Sequence, residues 1–273
     1  MNYGIVNMNM IDGEESMESR NKLNFYPKIS IITVTLNSER TLEETIKSIL
    51  SQDYPNIEYL VIDGGSIDGT LEIIDKYASQ ISYTISEKDK GISDAFNKGI
   101  KRATGEIVGI INSDDLLLPG ALFKLAECYD KNVDVYRGNV VVYDENSDSK
   151  WRDIPSMKFP LVSFNIRVAH PGTFIRKDAY ELYGAYRIDL KYQMDKDLLI
   201  RFYDKGASFL YIDYDIALFR IGGATSDSLK KKKTEIMEVI RLNGGGKFQA
   251  YLVYCIALFR AVLKKTRYLI GGK

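Results

Sequence analysis

The chain has 273 residues, 45% of them hydrophobic, and its 37 Lys/Arg are balanced by 37 Asp/Glu. That length holds one large domain or a domain with an appendage, and the apolar fraction suffices for a sizeable core. Zero net charge argues against a nucleic-acid binder, and the two cysteines, Cys128 and Cys255, offer neither a disulfide framework nor metal-ligand spacing, as expected in a reducing compartment.

Residues 1–26 are polar, without sustained periodicity, and read as a tail outside the fold. They lack a basic region followed by an apolar run, so no signal peptide is expected. Ile29 to Thr35 is rich in β-branched residues and reads as a strand that Asn37-Ser38 breaks. Leu42, Ile46, Ile49 and Leu50 then recur on one helical face. Ile57 to Ile62 is a second strand, Asp63 to Thr70 a turn, and Leu71, Ile74 and Tyr77 mark a second helix that Thr70 can cap. A third strand spans Ile81 to Ser86, and Ile92, Phe96, Ile100 and Ala103 mark a third helix ending near Gly105. The apolar run Ile107 to Ile111 stops at Asn112-Ser113-Asp114-Asp115, and Pro119 fits the first turn of another helix. Such β-α alternation predicts a Rossmann-like α/β fold, a mostly parallel sheet flanked by helices.

After Asp130 the rhythm changes. Val133–Tyr136 and Asn139–Tyr143 read as a β pair around Arg137-Gly138, and 144–160 as a polar loop. Val168–Arg176 reads as a strand carrying the only histidine, His170. Asp195–Tyr203 reads as a helix ended by Gly206, and Ser208–Phe219 is β-like. The domain expected over 27–225 thus divides into halves, 27–130 and 131–225, followed by an extension over 226–273. From Lys230 to Lys273 there are 11 Lys/Arg against two acids, Glu235 and Glu238, a basic tail on an acidic body. From Phe248 to Leu263 the only charge is Arg260, and the run falls short of the ~20 apolar residues of a spanning helix. With Arg260, Lys264 and Arg267 on one face, it is either a basic amphipathic helix at an anionic membrane surface or a helix packed on the body.

Asp114 and Asp115 lie just past a strand's C-terminal end, where open α/β sheets place ligands. Adjacent carboxylates in an apolar setting need a positive partner to stay ionised. A divalent cation carrying a phosphate ligand supplies one; an acidic turn capping the next helix is the alternative. The first turn, Leu36-Asn37-Ser38-Glu39-Arg40, has no glycine, which excludes the dinucleotide fingerprint, and no Walker A pattern occurs.

Five blocks resemble those of family 2 glycosyltransferases, in order and spacing: Ile31 to Asn37; Ser48 to Gln52; Val61 to Thr70; Asp89 to Ile100 with Ala103 to Glu106; and Asn112 to Asp115. The subgroup most resembled assembles bacterial surface polysaccharides, and the resemblance covers roughly 27 to 225. It implies a GT-A fold and inverting transfer of a sugar from a nucleotide-sugar donor to a hydroxyl of a glycan or lipid-linked glycan acceptor. It also implies that Asp115 binds Mg²⁺ or Mn²⁺ and that Asp114 reaches the ribose or sugar. Thr35, Leu36, Asn37, Asp63 and Asp89 would line the base pocket, with Asp94 also on the donor side. Gln193 to Phe202 resembles the block whose Asp is the general base, which falls on Asp195; His170 and Asp197 are acceptor-side candidates. One position departs: where the family often has a second Asp in the Val61 block, this chain has Gly64. Asp63 and Asp68 with their glycines also suit a β-turn. The expected location is the cytoplasm, peripheral on the inner membrane face. Two rivals differ in class: a sugar-nucleotide nucleotidyltransferase, which needs a glycine-rich basic loop absent here, and a non-catalytic nucleotide-sugar-binding module.

Overall fold

A computed structural model describes residues 26–157, 168, 170–221 and 229–270. The expected tail 1–26 lies outside these residues except for Tyr26. Strand β1 (Ile29–Thr35) is buried along its whole length, as a central strand covered on both faces must be. It pairs in parallel with β2 (Ile57–Asp63) and β4 (Ile107–Ile110), and β2 pairs in parallel with β3 (Tyr83–Ser86). The order β3-β2-β1-β4 reverses direction between β1 and β4. That switch point opens a crevice at the strands' C-terminal ends. The connecting helices are α1 (Leu42–Leu50), α2 (Thr70–Lys76) and α3 (Ile92–Arg102). Their apolar faces build two cores, one on each side of the sheet, around Ile46 and Tyr59 and around Phe96 and Ile110. This half follows the sequence periodicity closely.

The second half is mixed and corrects several expectations. Beyond β4 come β5 (Leu116–Leu117) and α4 (Ala121–Glu127). Pro119 precedes that helix rather than opening it, because Gly120, in left-handed conformation with φ of 76°, lies between them. The β pair expected around Arg137-Gly138 is one strand, β6 (Val135–Asp144), with its register shifted at Gly138 and Asn139. Gly138 makes no turn there. A Cβ on it would lie 2.2 Å from Ile216 Cγ1, so the glycine admits a neighbouring side chain. The true hairpin comes next: β7 (Ser149–Asp153), inside the expected polar loop, pairs antiparallel with β6. His170 is not in a strand but in a 3₁₀ turn, His170–Gly172, preceding β8 (Thr173–Arg176). Strand β8 runs antiparallel to both β4 and β6. Then follow α5 (Lys177–Tyr183), α6 (Met194–Asp204) and β9 (Phe209–Ile221), which pairs in parallel with β6 and antiparallel with β5.

The extension expected over 226–273 contains α7 (Leu229–Leu242) and α8 (Lys247–Ile270). They pack on each other through Ile236, Ile240, Ala250 and Val253. Val239 belongs to the same core as Leu198 and Leu199, so α7 is joined to the body. The outer face of α8 exposes Phe248 (81%), Tyr251, Leu252 and Phe259 (65%). The side chains of Arg260, Lys264 and Arg267, expected on one face, lie outside the described residues. No helix of the described residues is long and apolar enough to cross a membrane.

Candidate functional site

The turn that carries Asp114 and Asp115 follows β4 at the C-terminal edge of the parallel strands. The turn after β4 is closed by Asp115 N–H donating to the Asn112 carbonyl at 3.0 Å. Thr45, buried on α1, donates to the Asp115 carbonyl at 2.8 Å, which fixes the turn against the helix. Ser38 and Ser113 share a hydroxyl hydrogen bond of 2.8 Å that ties it to the β1 loop. The Asp115 side chain is fully buried, and its Oδ1 has no hydrogen-bond partner among the described residues. Burial, and then the adjacent Asp114, push its pKa well above the ordinary carboxylate value. Asp114 is raised by burial too, with Arg220 and His170 opposing. Thr35 Oγ1 and Asn112 Oδ1 are likewise buried without partners. The adjacent carboxylates, with a free buried Asp115 oxygen, fit a divalent cation, which favours one or two carboxylates with phosphate and water completing its shell. Among the described residues no three His, Cys, Asp or Glu side chains could hold a metal by themselves.

Strand β8 runs antiparallel to β4, with Phe174 opposite Gly109, and so returns His170 to the end of β4 near the acidic turn. The imidazole stacks on Phe96, with ring centroids 5.1 Å apart. Its Nδ1 lies 2.9 Å from Asp195 Oδ1, in the first turn of α6, while Nε2 is buried and has no partner among the described residues. Burial disfavours the imidazolium, but Asp195, Asp115 and Asp114 outweigh it and raise the pKa. Tyr186 also engages Asp195, and burial, Tyr180 and that carboxylate hold its phenol well above the ordinary range. A small cavity beside this pair is lined by His170, Asp195, Tyr180 and Tyr186 together with the core residues Leu198 and Leu199.

Asp197, two residues on, has a different setting. Fully buried, it accepts from Arg187 Nη1 and Arg201 Nε, both at 2.8 Å, and from Asn243 Nδ2 at 3.0 Å. Its carboxylate is committed to holding α6, the loop before it and α7 together. The sequence offered no local sign of Arg187 or Asn243 as partners, because the three residues meet only in the folded chain.

On the other side of the crevice, Asp63 is fully buried and committed to its own turn. It accepts the N–H groups of Gly65 and Ser66, both at 3.0 Å, and the hydroxyls of Ser66 and Ser86. Asn37, at φ of 51°, receives the Ile67 N–H on its side chain and donates its own N–H to Ser66. Asp94, in the first turn of α3, accepts the Lys90 N–H at 3.0 Å, a local tie to the loop before the helix. Asp89 pairs with Lys98 at 2.5 Å, and Lys98 also reaches Glu87 at 2.8 Å. The Asp89 carboxylate hangs over Gly64: a Cβ there would lie 2.8 Å from Asp89 Oδ2 and 3.5 Å from Leu36 Cδ1. The space in which the family often has an aspartate side chain is thus occupied by Asp89. Leu36 and Ile67 are exposed beside it.

Comparison with known proteins bears on the family and the fold. A provisionally named glycosyltransferase of Bacillus subtilis (strain 168), EpsE, is 32% identical over 219 residues, covering 77% of this chain and 78% of that one. Among solved structures, a fragment of Staphylococcus aureus TarS in complex with UDP-GlcNAc superposes with a TM-score of 0.64 at 21% identity, over 90% of this chain and 76% of that one. The mannosyltransferase PcManGT of Pyrobaculum calidifontis, in complex with GDP-Man and Mn²⁺, gives 0.60 at 19% identity, over 91% and 80%. These likenesses establish the GT-A architecture. The family model described as glycosyl transferase family 2 matches residues 30–187, more than half of the chain, and the protein belongs to that family.

Proposed function

We propose that this glycosyltransferase is metal-dependent and inverting, and that it moves a sugar from a nucleotide-sugar to a hydroxyl of a lipid-linked glycan in surface polysaccharide synthesis. The observation that carries this reading is the buried Asp115 oxygen, unpartnered among the described residues, at the end of β4 near the Asp195–His170 pair. A divalent Mg²⁺ or Mn²⁺ bound there supplies charge neutralisation for the departing diphosphate. Asp115 would hold it directly, and Asp114 would face the ribose or sugar. Asp195 accepts the proton of the acceptor hydroxyl as that oxygen bonds to the anomeric carbon and the nucleoside diphosphate leaves with the bonding pair. His170 orients Asp195 through its Nδ1–H. Asp89, supported by Lys98, takes over contact with the base from the residue replaced by Gly64, while Thr35, Leu36 and Asn37 form the adjoining wall. Asp63 shapes that wall through its turn, and Asp197 supports the fold.

The exposed apolar stripe of α8 and the basic excess after residue 229 support peripheral attachment to the anionic inner face of the cell membrane, where a lipid-linked acceptor is presented. The test is a panel of UDP-, GDP-, dTDP- and CMP-sugars, scored for Mn²⁺-dependent binding and slow hydrolysis. One nucleotide class should bind and release its sugar only with metal. Metal-independent hydrolysis of the bound sugar would refute the metal role, and binding without any release would favour the non-catalytic module.

A further inference from the structure

Helix α7 reaches back from the far end of the chain to the start of α6. The Glu235 carboxylate accepts three consecutive main-chain N–H groups: Lys191 on Oε1 at 2.9 Å, and Tyr192 and Gln193 on Oε2 at 2.6 and 3.0 Å. Gln193 is the N-cap of α6, and Asp195 is the second residue of that helix. A negative charge at this place also complements the helix dipole. Glu235 is one of only two acids among the 11 Lys/Arg of the last 44 residues, so a carboxylate is set into an otherwise basic segment. The second tie is Asn243, which donates to Asp197 on the other side of Asp195 in sequence. Between them, Val239 enters the core that contains Leu198 and Leu199. The first turn of α6 is therefore held from α7 on both sides of Asp195.

We propose that Glu235 is a positioning residue for the transfer reaction, fixing the first turn of α6 so that the Asp195 carboxylate stays aligned with His170 and the acceptor hydroxyl. The inference rests on the reading of Asp195 as the base. A misplacement of about 1 Å at a reacting group costs on the order of 10²-fold in rate, so a small shift of this turn is enough. Glutamine cannot replace the carboxylate here. Its one carbonyl can serve either Lys191 or the Tyr192–Gln193 pair, and its NH₂ then confronts an N–H donor at the other place.

His170 is the only histidine in the chain, so its NMR titration can be followed without any substrate, and comparison with Asp195→Asn isolates the part that the Asp195 contact supplies. The experiment compares full-length wild type, Glu235→Gln and Asp195→Asn in three readouts. These are hydrolysis of the nucleotide-sugars of the panel above, Mn²⁺-dependent affinity for the corresponding nucleotides, and the His170 pKa. Glu235→Gln should lower kcat roughly 10–100-fold, leave nucleotide affinity within about twofold, and move the His170 pKa down toward that of Asp195→Asn. If Glu235→Gln keeps the wild-type kcat and His170 titration while Asp195→Asn loses both, the positioning role is wrong and the base stands. A fully active Asp195→Asn removes the base and this inference with it. Should Glu235→Gln melt below the assay temperature, Glu235→Asp, which keeps the charge but withdraws it by one methylene, is judged by the same thresholds.

Discussion

Two carboxylates in one helical turn should fail in opposite ways. Asp195→Asn keeps the side-chain shape and an oxygen that can accept from His170 Nδ1–H, and its side chain is one-fifth exposed. The cost in folding stability should therefore stay near the ~0.5–1.5 kcal/mol of an ordinary hydrogen bond. Its cost in rate should be the ~10²–10⁴-fold that a positioned base contributes, which at about 1.36 kcal/mol per tenfold is roughly 2.7–5.4 kcal/mol of barrier. Donor binding should be unchanged, because Asp115 and the Asp89 pocket are untouched. Asp197→Asn reverses the pattern. The carboxylate is fully buried between Arg187 and Arg201, and removing its charge leaves two guanidinium groups short of a counter-ion. Breaking such a buried pair costs about 3–5 kcal/mol. Arg187 is one-third exposed and can recover water, which places the expected loss at the lower end. The molecules that remain folded should transfer sugar within a few-fold of the wild-type rate. The assay pairs urea unfolding with calorimetric donor affinity and initial transfer rates for both variants. The reasoning is refuted if Asp195→Asn transfers at the wild-type rate, or if Asp197→Asn loses rate at undiminished stability.

The acidic turn makes a pH-dependent prediction. Because the folded-state pKa of Asp115 is raised, the unfolded chain has lost a proton that the folded chain keeps, from the ordinary value of 3.8 upward. Its contribution to stability therefore falls as pH rises through that window, until the folded-state value is passed. Mn²⁺ binds the ionised form and should raise Tm more at about pH 7.5 than at about pH 5.5; differential scanning fluorimetry should show that shift vanish in Asp115→Asn. At Gly64, alanine would place its Cβ 2.8 Å from Asp89 Oδ2 and force Asp89 off Lys98. Overpacking of this kind costs about 1–3 kcal/mol, expected here mainly as a roughly tenfold weaker nucleotide Kd, and unchanged affinity would remove Asp89 from the pocket. Phe248→Ser with Phe259→Ser, on the exposed face of α8, should leave Tm unchanged and reduce sedimentation with anionic vesicles; equal sedimentation would end the membrane reading.

What could be read in the sequence depended on how far each contact reaches along the chain. The first four strands and three helices were legible because burial repeats locally, as in Leu42, Ile46 and Ile49. The position of Asp114 and Asp115 followed from the end of one apolar run. The second half was less legible because its pairings are not local. Gly138 resembled a turn, yet it serves to admit Ile216 from a strand far along the chain. The polar composition of 144–160 concealed β7, an edge strand whose side chains are mostly exposed. In the site, residue types marked the carboxylates but not their commitments. That Asp63 is satisfied by its own turn, that Asp197 is locked by two arginines, and that Asp89 fills the space above Gly64 all depend on partners brought together by folding. The one available sign of Glu235 was its charge, an acid in a basic segment.

The clasp between α7 and α6 also bears on how the enzyme is made. Asn243 and Asp197 are 46 residues apart, so the helix carrying Asp195 leaves the ribosome well before the residues that secure it. Domains fold from the N-terminus as they emerge, and the nucleotide half is complete by then. A nascent chain can thus acquire its donor pocket before the first turn of α6 is fixed. If Glu235 positions Asp195 as proposed, full activity then waits for α7. A premature stop at any codon from 188 to 235 would yield a fragment that contains every residue of the family match and lacks both Glu235 and Asn243.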